Sequence, residues 1–178
     1  MVTLFSVLFF PPWPRLTAAR DRPYLESMTR PIQSDGRMHG VVVGVRDDQG
    51  RWLMVRRSTT VTAPLKVCFP GGAVEVGESQ EQAVVREMRE ELGVEVRPVR
   101  CVWRHEFPER NIVLWGWLGE IVSGDLTPDP GEIAEVMWLA PDEGSSHAEG
   151  LPTNAHFIAA LACPPGTTPP GPAARGSP

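Results

Sequence analysis

Apolar positions along this chain follow two different periods. MHGVVVGV (38–45) and RWLMVRR (51–57) are rich in β-forming residues and predict strands, and the Arg-Asp-Asp-Gln-Gly between them predicts a hairpin turn. KVCFPGGAVE (66–75) reads as a short strand broken at Pro70-Gly71-Gly72, where the backbone must turn sharply. The period then lengthens. Val84, Met88 and Leu92 recur at four-residue spacing, which predicts one buried stripe on a helix. Ser79 with Gln82 forms a capping-box pattern at its start, and Gly93 is a natural stop. Strand-like runs resume at 99–107, 111–122 and 134–140, and residues 153–162 predict a closing helix.

The sustained pattern therefore spans residues 38–162 as one domain. Residues 1–37 hold scattered Pro, Arg and Ser without a period and predict a poorly ordered extension. The Pro/Gly-rich stretch 163–178 predicts a disordered tail. With 178 residues and 42% apolar content, the chain can bury a real core. A formal charge of −5 excludes the basic footprint that long nucleic acids require. A small anionic ligand stays open, because a few arginines or a metal can hold it.

Cys68, Cys101 and Cys163 are widely spaced, odd in number and form no CxxC pair. They predict reduced thiols and a cytoplasmic setting. No run reaches the eighteen or so apolar residues of a membrane helix, so no membrane partner is expected. MVTLFSVLFFPPWP resembles the apolar part of a signal peptide, but it lacks a basic start and prolines end it early.

The helix carries the chemistry. Glu87, Glu90 and Glu91 fall at i, i+3 and i+4 beside the buried stripe, so their side chains can converge. By themselves they fit a solvated face with an Arg86–Glu90 pair. The wider spacing points elsewhere. Gly72, five residues, Glu78, seven residues, then REMREELGV (86–94) resembles the Nudix box at every position. That family's chemistry is cleavage of phosphoanhydrides, for which magnesium suits hard oxygen ligands. The resemblance implies that Gly71 (through its carbonyl), Glu87, Glu90 and Glu91 surround Mg²⁺, for which Mn²⁺ can substitute. It also implies Glu87 as the base or water-orienting group, with Arg86 fixing a glutamate rotamer.

The likeness extends further. SQEQAVVREMREELGV, EFPERNIVLWGWLGE and the segment Asn154 to Ile158 resemble the MutT-type 8-oxo-dGTP pyrophosphohydrolases, over roughly residues 38–161. This implies an α/β/α sandwich with a mixed sheet, and hydrolysis of a nucleoside triphosphate to the monophosphate and pyrophosphate. It places Arg57, Phe69, Pro70, Gly71, Arg110 and Asn154 on the nucleotide, and Glu132 as a fourth acidic group for which Glu135 competes. The blander readings are an edge-strand charge for Arg57, a loop charge for Arg110, a helix N-cap for Asn154 and a surface or core position for His105.

One position departs from the pattern. A glutamate precedes the Phe-Pro-Gly-Gly turn in the family, and here it is Cys68, whose thiol accepts hydrogen bonds only weakly from a purine. CTP, ADP-ribose or a nucleotide sugar are the alternative substrates. A non-catalytic nucleotide-binding module is the rival class, and such a module has no need of every glutamate.

Overall fold

The computed structural model describes residues 31–164; the expectations for residues 1–30 and 165–178 lie outside it. Residues 31–37 fold back on the domain, with Ile32 bridged to Met38 and the Gln33 amide donating to the Val74 carbonyl at 2.8 Å. The elements are β1 (Met38–Val45), β2 (Trp52–Arg57), β3 (Val67–Cys68), α1 (Gln80–Leu92), β4 (Glu95–Phe107), β5 (Ile112–Ser123), β6 (Ile133–Leu139), α2 (Pro141–Ser146) and α3 (Thr153–Leu161). A 3-10 turn, Pro108–Arg110, links β4 to β5.

Two three-stranded sheets result, in the orders β1-β5-β4 and β3-β2-β6. β1 runs parallel to β5 and every other pairing is antiparallel. The expected β1–β2 hairpin is present only at its turn. Arg46 bridges Trp52, and the Asp47 N–H donates to the Arg51 carbonyl at 3.0 Å. Beyond that the strands part into different sheets. The cause is the glycine turn, which occupies the free edge of β1. Val41 N–H donates to Gly72 O at 2.8 Å and Val43 N–H to Pro70 O at 2.9 Å, while His39 O accepts from Val74 N–H at 2.9 Å.

α1 forms as its pattern predicts. Ser79 Oγ accepts from Gln82 N–H at 3.2 Å, and Gln82 Oε1 accepts from Ser79 N–H at 2.8 Å. Gly93 ends it at φ 69°, a conformation only glycine adopts without cost. Ala83, Val84, Met88 and Leu92 are fully buried and join Val41, Val43, Leu53, Val55 and Trp117 in a first core. Burial of each large side chain contributes about 1.5–3 kcal/mol. A second core lies on the other side of the sheets, where Trp52, Met54, Phe69, Trp103, Phe157 and Leu161 pack under α3. α2 packs beside α3, giving the layered α/β/α arrangement.

Two features went unread in the sequence. β4 begins at Glu95 and not at 99, because shifts of register around Pro98 absorb a residue that cannot donate to a ladder. α2 has no apolar stripe to betray it, and is started by Pro141 and by the Glu143 carboxylate accepting from Ala140 N–H at 2.9 Å. Among the described residues no helix is long and apolar enough to cross a membrane.

Candidate active site

α1 sets Glu87 and Glu91 one turn apart at the margin of its buried stripe, and they are only 8% and 4% exposed. Glu90, between them, faces solvent. The glycine turn is laid directly against this pair. Gly71 N–H donates to Glu91 Oε2 at 2.9 Å. Gly71 holds φ 137°, and a Cβ there would fall 2.2 Å from the Val41 carbonyl oxygen. A Cβ on Gly72 would fall 2.4 Å from Glu87 Oε1. The carbonyls of Pro70 and Gly72 are taken by β1, while that of Gly71 accepts no hydrogen bond among the described residues.

Arg86 organises the acidic side chains. Its guanidinium grips Glu78 with two bonds of 2.9 Å and donates to the Ala73 carbonyl at 2.8 Å. Its remaining nitrogen donates to Glu87 at 2.8 Å and Glu90 at 3.0 Å. The resemblance implies a rotamer-fixing role for Arg86, and these contacts also bring in Glu78, a member of the spaced motif that was not expected at the site. An Arg86→Lys variant keeps the charge but not the planar fork. It should lose about 1–3 kcal/mol of stability through unmade hydrogen bonds, read as a lowered Tm.

The cluster carries more negative charge than its surroundings offset. Burial pushes Glu91 up to about 8; the Gly71 hydrogen bond opposes this, and the charges of Glu87 and Glu132 add to it. Burial likewise raises Glu87, against the pull of Arg86. Among the described residues no three acidic, histidine or cysteine side chains close around one point. Arg86 lies between Glu87 and Glu90, and Glu91 is turned to the glycine turn. The fit to a divalent cation is one of donor chemistry: buried carboxylates and an unclaimed carbonyl, all hard oxygens with unrelieved repulsion.

The two competing acids separate clearly. Glu135 is paired with Arg56 at 3.0 Å, whereas the charge of Glu132 acts on both Glu87 and Glu91. The Glu132 loop is tied down by Ser58, whose N–H donates to Glu132 O at 2.8 Å and whose hydroxyl donates to Gly131 O at 2.7 Å. That tie joins segments distant in sequence and left no local signal.

The residues expected on the nucleotide divide by face. Arg57 lies on the carboxylate side, where its charge acts on Glu91 and its Nε donates to the Thr62 carbonyl at 2.7 Å. Phe69 is a core ring, 3% exposed, set edge-on to Phe157 at 4.8 Å. Pro70 holds β1 through its carbonyl. Arg110 ends the exposed 3-10 turn. Asn154 is not the helix N-cap, a position held by Pro152. Its buried amide donates instead to the Val67 carbonyl at 2.9 Å, fastening α3 to β3. His105 stacks on Trp103 at 5.3 Å and meets Phe107 edge-on at 4.5 Å, consistent with its bland reading. All three cysteines are unpaired, and burial pushes the Cys68 thiol up to about 11, so it stays neutral.

Known proteins resemble this chain in sequence and fold. A family model described as the NUDIX domain matches residues 36–161. The 8-oxo-dGTP diphosphatase of Escherichia coli (strain K12) is 36% identical over 124 residues, covering 68% of this chain and 94% of that protein. The NAD-capped RNA hydrolase NudC of Pseudomonas aeruginosa (strain LESB58) is 42% identical over 71 residues, 40% of this chain and only 26% of that protein. The crystal structure of a MutT protein from Methanosarcina mazei Go1 superposes with a TM-score of 0.61 at 25% identity, over 74% of this chain and 93% of that one. With a match over residues 36–161 that takes in the glutamate helix, the chain belongs to the Nudix hydrolase family.

Proposed function

We propose that this Nudix hydrolase cleaves a nucleoside triphosphate to the monophosphate and pyrophosphate with Mg²⁺ as cofactor, and that 8-oxo-dGTP is its preferred substrate. The observation that carries the reading is the pair of buried, mutually repelling carboxylates, Glu87 and Glu91, set against Gly71. Support also comes from the near full-length likeness to the Escherichia coli diphosphatase. A cytoplasmic nucleotide pool is the matching setting for a chain with three unpaired thiols.

Glu87, Glu90, Glu91, Glu132 and the Gly71 carbonyl are the groups that would hold the metal. When bound, a divalent cation lowers the pKa of water and neutralises charge on the phosphates. The chain's own residues do the rest. Arg86 holds a Glu87 oxygen in place, and that carboxylate orients the attacking water or takes its proton. Water adds to phosphorus, the phosphoanhydride bond breaks, and pyrophosphate leaves. Arg57 offers its guanidinium to the phosphates. Asn154, with one N–H given to Val67, keeps its carbonyl and second N–H for a purine edge.

Asn154→Ala should cost about 1 kcal/mol of stability, since the Val67 carbonyl retains its bond from Leu151 N–H. It should also cost roughly 1–3 kcal/mol in base discrimination, falling on 8-oxo-dGTP and sparing a poor substrate such as dTTP. Equal losses for both nucleotides would show that Asn154 only fastens the helix. A second reading, hydrolysis of another nucleoside diphosphate derivative, draws on the partial likeness to NudC. The deciding experiment sets purified protein and Mg²⁺ against dGTP, 8-oxo-dGTP, CTP, ADP-ribose and a nucleotide sugar. 8-oxo-dGTP should give the highest kcat/KM. Parity with dGTP removes the preference, and turnover of ADP-ribose alone favours the second reading.

A further inference from the structure

Residue 68 stands where two parts of the site meet. Side chains alternate along β3, so Val67 and Phe69 enter the second core and Cys68 enters the first. Opposite Cys68 in the ladder is Val55, also of the first core. Phe69 packs on Phe157 and Asn154 is fastened to the Val67 carbonyl, which places both with the second core. Cys68 does not share their face. Arg57 follows Val55 by two residues on β2, so its side chain leaves the strand on the face that Cys68 enters, and the charges of Arg57 and Glu91 both act on the thiol.

Arg57 differs from its neighbours in how its charge is met. Arg56 is paired with both Glu135 and Glu149. Arg86 is paired with Glu78, Glu87 and Glu90. Arg57 makes no ion pair among the described residues, and its Nε is held by the Thr62 carbonyl. The substrate of a Nudix hydrolase is polyanionic, and it must approach Glu87, Glu91 and Glu132 on a chain of formal charge −5. An unneutralised guanidinium at the edge of that cluster draws the phosphates in. A carboxylate at residue 68, on the same face, would hold the guanidinium for itself; a neutral thiol cannot.

We propose that Cys68 is a positioning residue that keeps the Arg57 guanidinium available to the phosphate chain of the nucleotide, and that it sets affinity for phosphate and not the choice of base. This rests on the hydrolase reading above and adds a determinant on the carboxylate side of the sheet.

The test compares Cys68→Glu with Cys68→Gln, which share a shape and differ by one charge. KM and kcat are measured for triphosphates of three different bases. The glutamate variant should show a KM about tenfold above that of the glutamine variant, alike for every base, with similar kcat and unchanged ratios between bases. In an Arg57→Met background the difference between the two should vanish. Equal KM values for the two variants, or a changed ratio between bases, overturns the proposal. If Cys68→Glu melts below the assay temperature, Cys68→Asp against Cys68→Asn makes the same comparison. An Arg57→Met protein whose KM matches the unmodified chain also overturns it. The two readings fail differently: an unmodified protein that hydrolyses no nucleotide removes the hydrolase reading, whereas turnover with a KM blind to charge at residue 68 removes this inference alone.

Discussion

Glu91→Gln should lower kcat/KM by at least about a hundredfold while making the metal-free protein more stable. The two effects have one origin. Glu91 is 4% exposed, and burial together with the charges of Glu87 and Glu132 raises it from 4.5 to about 8. A carboxylate raised in this way binds its proton more tightly in the folded chain than in the unfolded one. Below pH 4.5 both states are protonated and the group costs nothing. As pH climbs from 4.5 toward 8 the unfolded chain ionises first, so the metal-free fold loses stability across that window. Each pKa unit corresponds to about 1.4 kcal/mol, enough for a Tm fall of several degrees. Glutamine keeps the shape and can still accept from Gly71 N–H, but has no charge to bury. The variant should therefore melt higher at pH 8 and lose most of the pH slope. Mg²⁺ should stabilise the unmodified protein by binding its folded state, and the variant much less. Thermal melts at pH 5 and pH 8, with and without Mg²⁺, read all of this. Undiminished turnover of the variant, or activity that survives EDTA, would remove the carboxylate cluster from the chemistry.

What could be read in the sequence was what local chemistry decides. The capping box at Ser79 and Gln82 and the stop at Gly93 stand as expected, whereas Glu87, Glu90 and Glu91 share that helix without closing around one point. The hairpin between β1 and β2 was misjudged because the competitor for the β1 edge, residues 70–74, is remote in sequence and binds it through backbone groups that carry no residue signature. Asn154 looked like a cap for the same reason. Its partner, the Val67 carbonyl, is reached only after the chain has folded. The choice between Glu132 and Glu135 also rested on distance, since Arg56 engages one and leaves the other beside the helix. Cys68, weighed in the sequence as a neighbour of the base, enters the first core, whereas Phe69 beside it enters the second.

The two glycines of the turn should fail in different ways when each is changed to alanine. At Gly71 the obstacle is backbone. The residue holds φ 137°, where side-chain-bearing residues rarely sit, and the added Cβ would lie 2.2 Å from the Val41 carbonyl oxygen. Neither partner can retreat freely, because Val41 N–H is bound to Gly72 O at 2.8 Å and Val43 N–H to Pro70 O at 2.9 Å. Strain and overpacking each cost about 1–3 kcal/mol. Gly71→Ala should thus lose about 3 kcal/mol or more, a Tm drop of roughly 10 °C for a chain of this size. At Gly72 the obstacle is a side chain: the new Cβ would meet the Glu87 carboxylate at 2.4–2.5 Å. That carboxylate can swing aside, but only by leaving its 2.8 Å bond to Arg86. Gly72→Ala should therefore keep its Tm within a few degrees and lose about a hundredfold in kcat, the scale of a misplacement of about 1 Å. Melting curves and kcat for both variants distinguish the roles. If Gly72→Ala is instead the unstable one and retains turnover per folded molecule, Glu87 does not act from the position it holds beside the turn.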